Sequence, residues 1–281
     1  MNTKGRRRRT SIFCLGAIAW LTMASCSLNR SRDGQNQISL SGSSTIAPLA
    51  AEIGKRFESR HPNVRVDVQS GGSSRGIADT RRELVDIGMV SRELKSEEQD
   101  LISVAIALDG VAVIVHRDNP ITSLTDNQIA AIYTGDIEDW RDVGGEPGPI
   151  TVVNKAEGRS TLELFTQYIQ VDHRRIRADI VIGDNEQGIK TVAGNPRAIG
   201  YVSIGTAEYD AAAGVAIKLL PMNGVAANIE NVRNGSFPLA RPLNLVLKQP
   251  PAGRVAAFIE FAKSDEVHDI IKEQYFVPLV P

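Results

Sequence analysis

Thiols and imidazoles are scarce in this chain. Its 281 residues hold two cysteines, Cys14 and Cys26, and four histidines, His61, His116, His173 and His268. The histidines fall in no HExxH or other metal-ligand spacing, and two isolated cysteines make no thiolate metal site. No GxxxxGK[ST] phosphate loop is present, and neither is an internal repeat. The longest apolar run is shorter than the about 20 residues that a spanning helix needs. These absences point to a chain without a resident metal or cofactor.

What the N-terminus does contain is ordered. MNTKGRRRRT carries Lys4 and Arg6 to Arg9, SIFCLGAIAWLTM is a short apolar core, and small residues lead to Cys26. Basic, apolar, then small is the order of a secretory signal over residues 1–25. Ala24-Ser25-Cys26 resembles the lipobox of bacterial lipoproteins, with Met23 where leucine is more usual. That likeness implies lipidation at Cys26 and a membrane anchor. Cys14 leaves with the signal, so no disulfide is expected. Residues 26–37, polar and rich in Arg, Asn and Ser, read as a tether. Removing the signal takes 32 basic residues against 33 acidic to 27 against 33, and the net charge from -1 to about -6. A mildly acidic protein does not bind nucleic acid by neutralising phosphates.

From Ile38 the pattern alternates strand and helix. Ile38-Leu40 and the Val64, Val66, Val68 alternation read as strands, while Leu49, Ile53 and Phe57 recur at helical spacing. SVAIALDGVAVIVHRDNP reads as two strands broken at Asp109-Gly110. LTDNQIAAIYTG reads as a helix capped by Thr125 or Asp126 and stopped by Gly135. Asp136, Glu138, Asp139 and Asp142 around Trp140 read as a solvated loop whose tryptophan anchors it. Tyr133 and Phe165 fit helix core faces. The fold class is α/β with mostly parallel sheets.

Three strand-to-helix turns share one composition: SGSST at 41–45, GGSS at 71–74 and KAEGRST at 155–161. Such turns gather at the carboxyl ends of strands in α/β sheets, where ligands bind. The first turn of each following helix exposes unpaired N–H groups and a positive dipole end. Taken singly, each turn also reads as helix capping. Three together surround a tetrahedral oxyanion with fixed donors.

Those turns, with DIGMVSREL, IGYVSIG, FPLARPLNLVLK and FIEFAKSDEVHDIIKEQYFVPL, resemble in order the phosphate-binding proteins of bacterial ABC uptake systems, in the type II periplasmic-binding-protein superfamily. The likeness runs from about Ile38 to the C-terminus. It implies two α/β lobes, 38–114 with 243–281 and 115–242, joined by crossing strands near 111–117 and 242–248. It also implies a monomer that closes on inorganic phosphate and is met by a membrane permease with its ATPase, extracytoplasmically.

Carried over residue by residue, the likeness places Ser44, Thr45 and the backbone of Ile46 on one side of the anion, with Ser73 and Ser74 at the second turn. The family arginine of the second lobe is replaced by Lys155, and Arg159, Ser160 and Thr161 complete that turn. Ser91-Arg92 stands where phosphate-binding proteins carry a carboxylate that accepts a phosphate proton. Ser91 both donates and accepts, and Arg92 adds charge if it turns inward. Arg241-Pro242 reads as a hinge feature rather than a ligand contact. Two other readings of the same residues are a binding module for sensing or for another tetrahedral oxyanion, and a secreted esterase or phosphatase with Ser43 or Ser44 as nucleophile. No motif pairs a histidine with either serine, and an activated serine needs a base.

Overall fold

Apolar alternation at Ile38 and Leu40 forms β1 (Gln37–Gly42), and the stripe Ile46, Leu49, Ile53, Phe57 buries one face of α1 (Ile46–Arg60). The computed structural model describes residues 36–279; the leader, Cys26 and the tether up to residue 35 lie outside it. The alternation continues through β2 (Arg65–Ser70), α2 (Ser73–Arg81), β3 (Ile87–Val90), β4 (Ile102–His116), α3 (Asp126–Thr134), β5 (Thr151–Lys155) and α4 (Ser160–Tyr168). After these come β6 (Ile180–Ile182), α5 (Asn185–Ala193), β7 (Ala198–Ser203), α6 (Ile204–Ala212), β8 (Ile217–Leu219) and α7 (Ile229–Arg233). The chain ends through β9 (Ala240–Leu247), α8 (Gly253–Lys263), α9 (His268–Glu273) and β10 (Val277–Pro278). No described helix is long and apolar enough to cross a membrane.

The strands run in the order β2-β1-β3-β9-β4-β7-β5-β6, with β10 and β8 also paired to β4. Pairing is parallel in the outer parts, β2-β1-β3 and β7-β5-β6. It is antiparallel through the middle, where β9 and β4 meet each other and their neighbours. The sheet is therefore mixed, not mostly parallel. The expected break at Asp109-Gly110 is not a break either. β4 is one strand of 15 residues that changes partners there. Ile102–Gly110 pairs with β9, and Val111–Val115 pairs with β7. An apolar run with β-branched residues on both sides of the dipeptide keeps the chain extended.

Two main hydrophobic cores result. Ile38, Leu40, Leu49, Phe57, Met89, Leu245 and Phe258 belong to the first. Val113, Ile132, Tyr133, Trp140, Phe165 and Tyr201 belong to the second. In the second, Phe165 stacks on Tyr201 with ring centroids 3.8 Å apart, and Tyr133 meets Phe165 edge-on at 4.7 Å. Thr125 caps α3 by accepting from the Gln128 amide, and Gly135 ends it in the left-handed region. Trp140 is buried and its indole N–H donates to the Arg197 carbonyl, an anchor for the acidic loop.

Helix α2 lies close on the sheet because residue 76 has no side chain. A Cβ at Gly76 would stand 2.8 Å from the Met89 carbonyl oxygen and 2.9 Å from that of Ser41. Both obstacles are backbone, so the helix itself would have to move. Gly76→Ala is expected to cost about 1–3 kcal/mol as overpacking, read as a lowered urea midpoint.

Candidate anion-binding site

Each of the three turns delivers a hydroxyl to one place, and a buried arginine stands at the centre. Asp109 on β4 and Arg241 on β9 are directly opposed cross-strand partners, both fully buried. Arg241 Nε and Nη2 donate to Asp109 Oδ2 at 3.1 and 2.8 Å. Its remaining N–H groups reach the turns. Nη2 donates to Thr45 Oγ1 at 3.2 Å and Nη1 to Thr161 Oγ1 at 3.0 Å. Nη1 also lies 3.4 Å from both the carbonyl oxygen and the hydroxyl of Ser91. Arg241 thus joins Asp109 to the hydroxyls of Thr45, Thr161 and Ser91, which its place next to a proline in a strand gave no means of telling.

In the first turn Ser43, not Ser44, does the capping. Its hydroxyl accepts from the amides of Thr45 and Ile46 and donates to Ser91 Oγ at 2.9 Å. The Ile46 amide expected for the ligand is engaged by that long 3.4 Å bond. Ser44 is half-buried beside it. Ser73, buried at the start of α2, accepts from the Ser91 amide at 3.2 Å. Ser74 reaches across: its amide donates to the Gly158 carbonyl at 3.2 Å and its hydroxyl to Glu163 at 3.4 Å. Gly72 permits this approach, since a Cβ there would lie 2.7 Å from that same carbonyl oxygen.

The third turn supplies cations. Lys155 is buried, its ammonium donating to the Asp184 carbonyl at 2.7 Å and to Asn185 Oδ1 at 3.0 Å. Neither acceptor is a carboxylate. Burial brings Lys155 down to about 7, with Asp184 opposing and the charges of Arg241 and Arg159 adding to the fall. Arg159 lies half-buried over Gly72, and Ser160 opens α4 with a buried hydroxyl that has no partner among the described residues. Asn185, which the sequence reading passed over, ties the parts together: its amide donates to Thr45 Oγ1 at 3.2 Å and to Thr206 Oγ1 at 3.4 Å.

Arg92 does not turn toward these groups. It is buried, with Nη1 and Nη2 donating to Glu98 at 2.6 and 2.9 Å. Arg92 Nε and Glu163 Oε2 stand 3.0 Å apart without the alignment of a hydrogen bond, and Lys95 Nζ lies 2.8 Å from the same oxygen. Arg92 is therefore held by two carboxylates, Glu98 and Glu163. A groove of 670 Å³ reaches the ring at Thr45 from between α1, α6 and α9.

Buried hydroxyls from three turns, a buried ammonium lacking a carboxylate partner, and an orphaned hydroxyl at a helix N-terminus are what an oxyanion would complete. Fold and site together define a two-lobed solute-binding protein, and the PBP superfamily domain matches residues 29–266, so the chain belongs to that family. It is 32% identical to a Clostridium perfringens protein described as a phosphate ABC transporter substrate-binding protein, solved with bound phosphate. That likeness covers 87% of this chain and 100% of that one, with a TM-score of 0.81. The phosphate-binding protein PstS of Borreliella burgdorferi is 28% identical over 258 residues, 88% of this chain and 92% of its own. PstS of Bacillus subtilis is 26% identical over 249 residues, 86% and 80%.

Two outcomes follow for stability. Asp109→Asn leaves the Arg241 charge buried without its partner, an expected loss of about 3–5 kcal/mol by denaturant titration. Lys155 is protonated in the unfolded chain up to its ordinary 10.5 but in the folded chain only below about 7. Between those values the unfolded state holds the extra proton, so this group makes stability rise with pH across that window. Lys155→Met is expected to flatten that rise in denaturation series from pH 6 to 10.

Proposed function

We propose that the chain captures inorganic phosphate between its two lobes and presents it to an ABC permease and its ATPase. We take the lobes as 38–114 with 243–281 and 115–242, and the protein as a monomer. The observation that carries the reading is Lys155, a buried ammonium whose partners are two neutral oxygens. A dianion is the natural complement of that charge, because an uncompensated buried cation is costly. The hydroxyls of Thr45, Ser91 and Thr161 then supply donors, with Ser44, Ser73, Ser160 and Arg159 beside them. The names of the similar proteins, phosphate-binding in each case, support the same ligand.

Closure is how such a site holds its ion. Bonds that join the two lobes, Asn185 to Thr45 and Ser74 to Gly158, belong to a closed form. An anion that touches both sides shifts the population toward it. We place the protein outside the cytoplasm, held to the membrane by a lipid on Cys26, on the strength of the leader's order and its lipobox.

The function is binding, without turnover. Ser43 spends its hydroxyl on two amides and Ser91, and His61 stacks on Phe57 at 4.0 Å, held within α1's own turn. The letters G-x-S-x-G do occur, at Gly72–Gly76. Their serine, Ser74, faces Glu163 rather than an imidazole.

Equilibrium dialysis with labelled phosphate is expected to give a Kd in the submicromolar to micromolar range, about -8 to -10 kcal/mol. Absence of saturable binding would overturn the proposal. Lys155→Met is expected to weaken binding by about 100-fold, the order of a lost charged hydrogen bond. Because Lys155 is largely neutral above about 7, an incoming dianion recharges it. Calorimetry at pH 8 in buffers of different ionisation heat should therefore report proton uptake in the parent protein and less in the variant.

A further inference from the structure

The hydrogen-bond directions in the ring are fixed by counting. A guanidinium has five N–H groups, and Arg241 spends all of them on Asp109, Thr45, Thr161 and Ser91. It therefore has no donor left for an anion, and Asp109 cancels its charge. Its effect on a ligand passes through the oxygens it donates to.

Thr45 Oγ1 accepts from Arg241 and from Asn185. The Asn185 amide cannot be reversed, because its Oδ1 already accepts from Lys155. Both lone pairs of Thr45 are filled, and its proton has no acceptor among the described residues. Ser91 Oγ accepts from Ser43, whose own lone pairs are filled by two amides, and shares one Arg241 Nη1 hydrogen with the Ser91 carbonyl oxygen, each at 3.4 Å. Its proton is likewise left over. Thr161 has one lone pair filled by Arg241. Ser160 has both open and is buried.

Carboxylates nearby are engaged elsewhere. Asp109 lies on the opposite edge of the guanidinium and also accepts from the Gly205 amide. Glu163 and Glu98 hold Arg92, and the Asp184 carboxylate caps α5 through the Gln187 amide. Among the described residues no carboxylate takes the place of the one replaced at Ser91.

We propose that Arg241 is a positioning residue that makes Thr45 and Ser91 obligate donors, and that the acceptor for a phosphate proton is the Ser160 hydroxyl, a neutral group that discriminates weakly against sulfate. The inference rests on the phosphate-binding reading and refines it. A hydroxyl accepts a P–OH proton less strongly than a carboxylate does, so sulfate, which carries no proton and needs only donors, is not strongly rejected. Sites built around a dedicated buried partner reject the wrong analogue by roughly 10⁴-fold or more; here sulfate is expected within about tenfold of phosphate.

The test is calorimetric titration of the purified protein with phosphate and with sulfate at pH 8. Wild type should bind both, within about tenfold. Ser160→Ala should bring the two affinities together by weakening phosphate alone, whereas Ser91→Ala should weaken both by a similar factor. Arg241→Lys, which cannot fill the same lone pairs, should weaken both ligands and raise the phosphate-to-sulfate ratio as Thr45 and Ser91 regain acceptor capacity. A purely structural role for Arg241 would leave that ratio unmoved. Phosphate binding with sulfate weaker by about 1,000-fold or more overturns this inference and leaves the phosphate reading standing. A ratio that survives in Ser160→Ala but collapses in Ser91→Ala overturns it as well. If neither anion binds wild type, the phosphate reading itself falls.

Discussion

Everything at the centre of this molecule leans on the ion pair between Asp109 and Arg241. The two residues face each other across the central antiparallel ladder, where β4 passes from one set of partners to another. A pair this deeply buried is a poor source of stability, because the cost of stripping water from both charges offsets much of their attraction. What it supplies is position. The carboxylate fixes one edge of the guanidinium, and the other edge meets hydroxyls of two of the turns, Thr45 and Thr161, and of Ser91 after β3. The hydroxyls thereby share one fixed reference point.

The sequence made the frame of this arrangement readable and concealed its centre. Hydroxyl and glycine at three strand-to-helix turns are visible because local chemistry demands them: caps, close approaches and helix starts. The alternation of apolar residues located the strands and helices, and Thr125 and Gly135 marked the bounds of one helix. Strand direction was harder, since parallel and antiparallel neighbours bury similar apolar faces, and the mixed centre of the sheet was missed for that reason. Asp109 and Arg241 are 132 residues apart. Nothing local distinguishes an acid beside a glycine, or an arginine beside a proline, from ordinary punctuation. Only strand register brings them together. Arg92 misleads in the opposite sense: it sits in the place the resemblance marks for a ligand contact, and two glutamates, Glu98 six residues on and the distant Glu163, hold it away.

Lys155, Asn185 and Thr45 form a chain of contacts across the centre of the molecule. Lys155 orients the Asn185 oxygen, which leaves the amide nitrogen to donate across to Thr45. The ammonium thus takes part in joining the two sides, and burial lowers its affinity for a proton. Glu163 closes the periphery in a different way, as one carboxylate shared by Arg92, Lys95 and Ser74.

A single guanidinium whose five donors are all committed also constrains how this chain can vary. Thr45, Ser91 and Thr161 share one partner, so replacing one of them changes the donors that the other two meet. Their free energies should not add, and substitutions at one position change what the others tolerate. Thr45, Ser91 and Thr161 are separate in sequence but form one unit of inheritance, in which a workable change at one hydroxyl calls for a matching change at another or at Arg241.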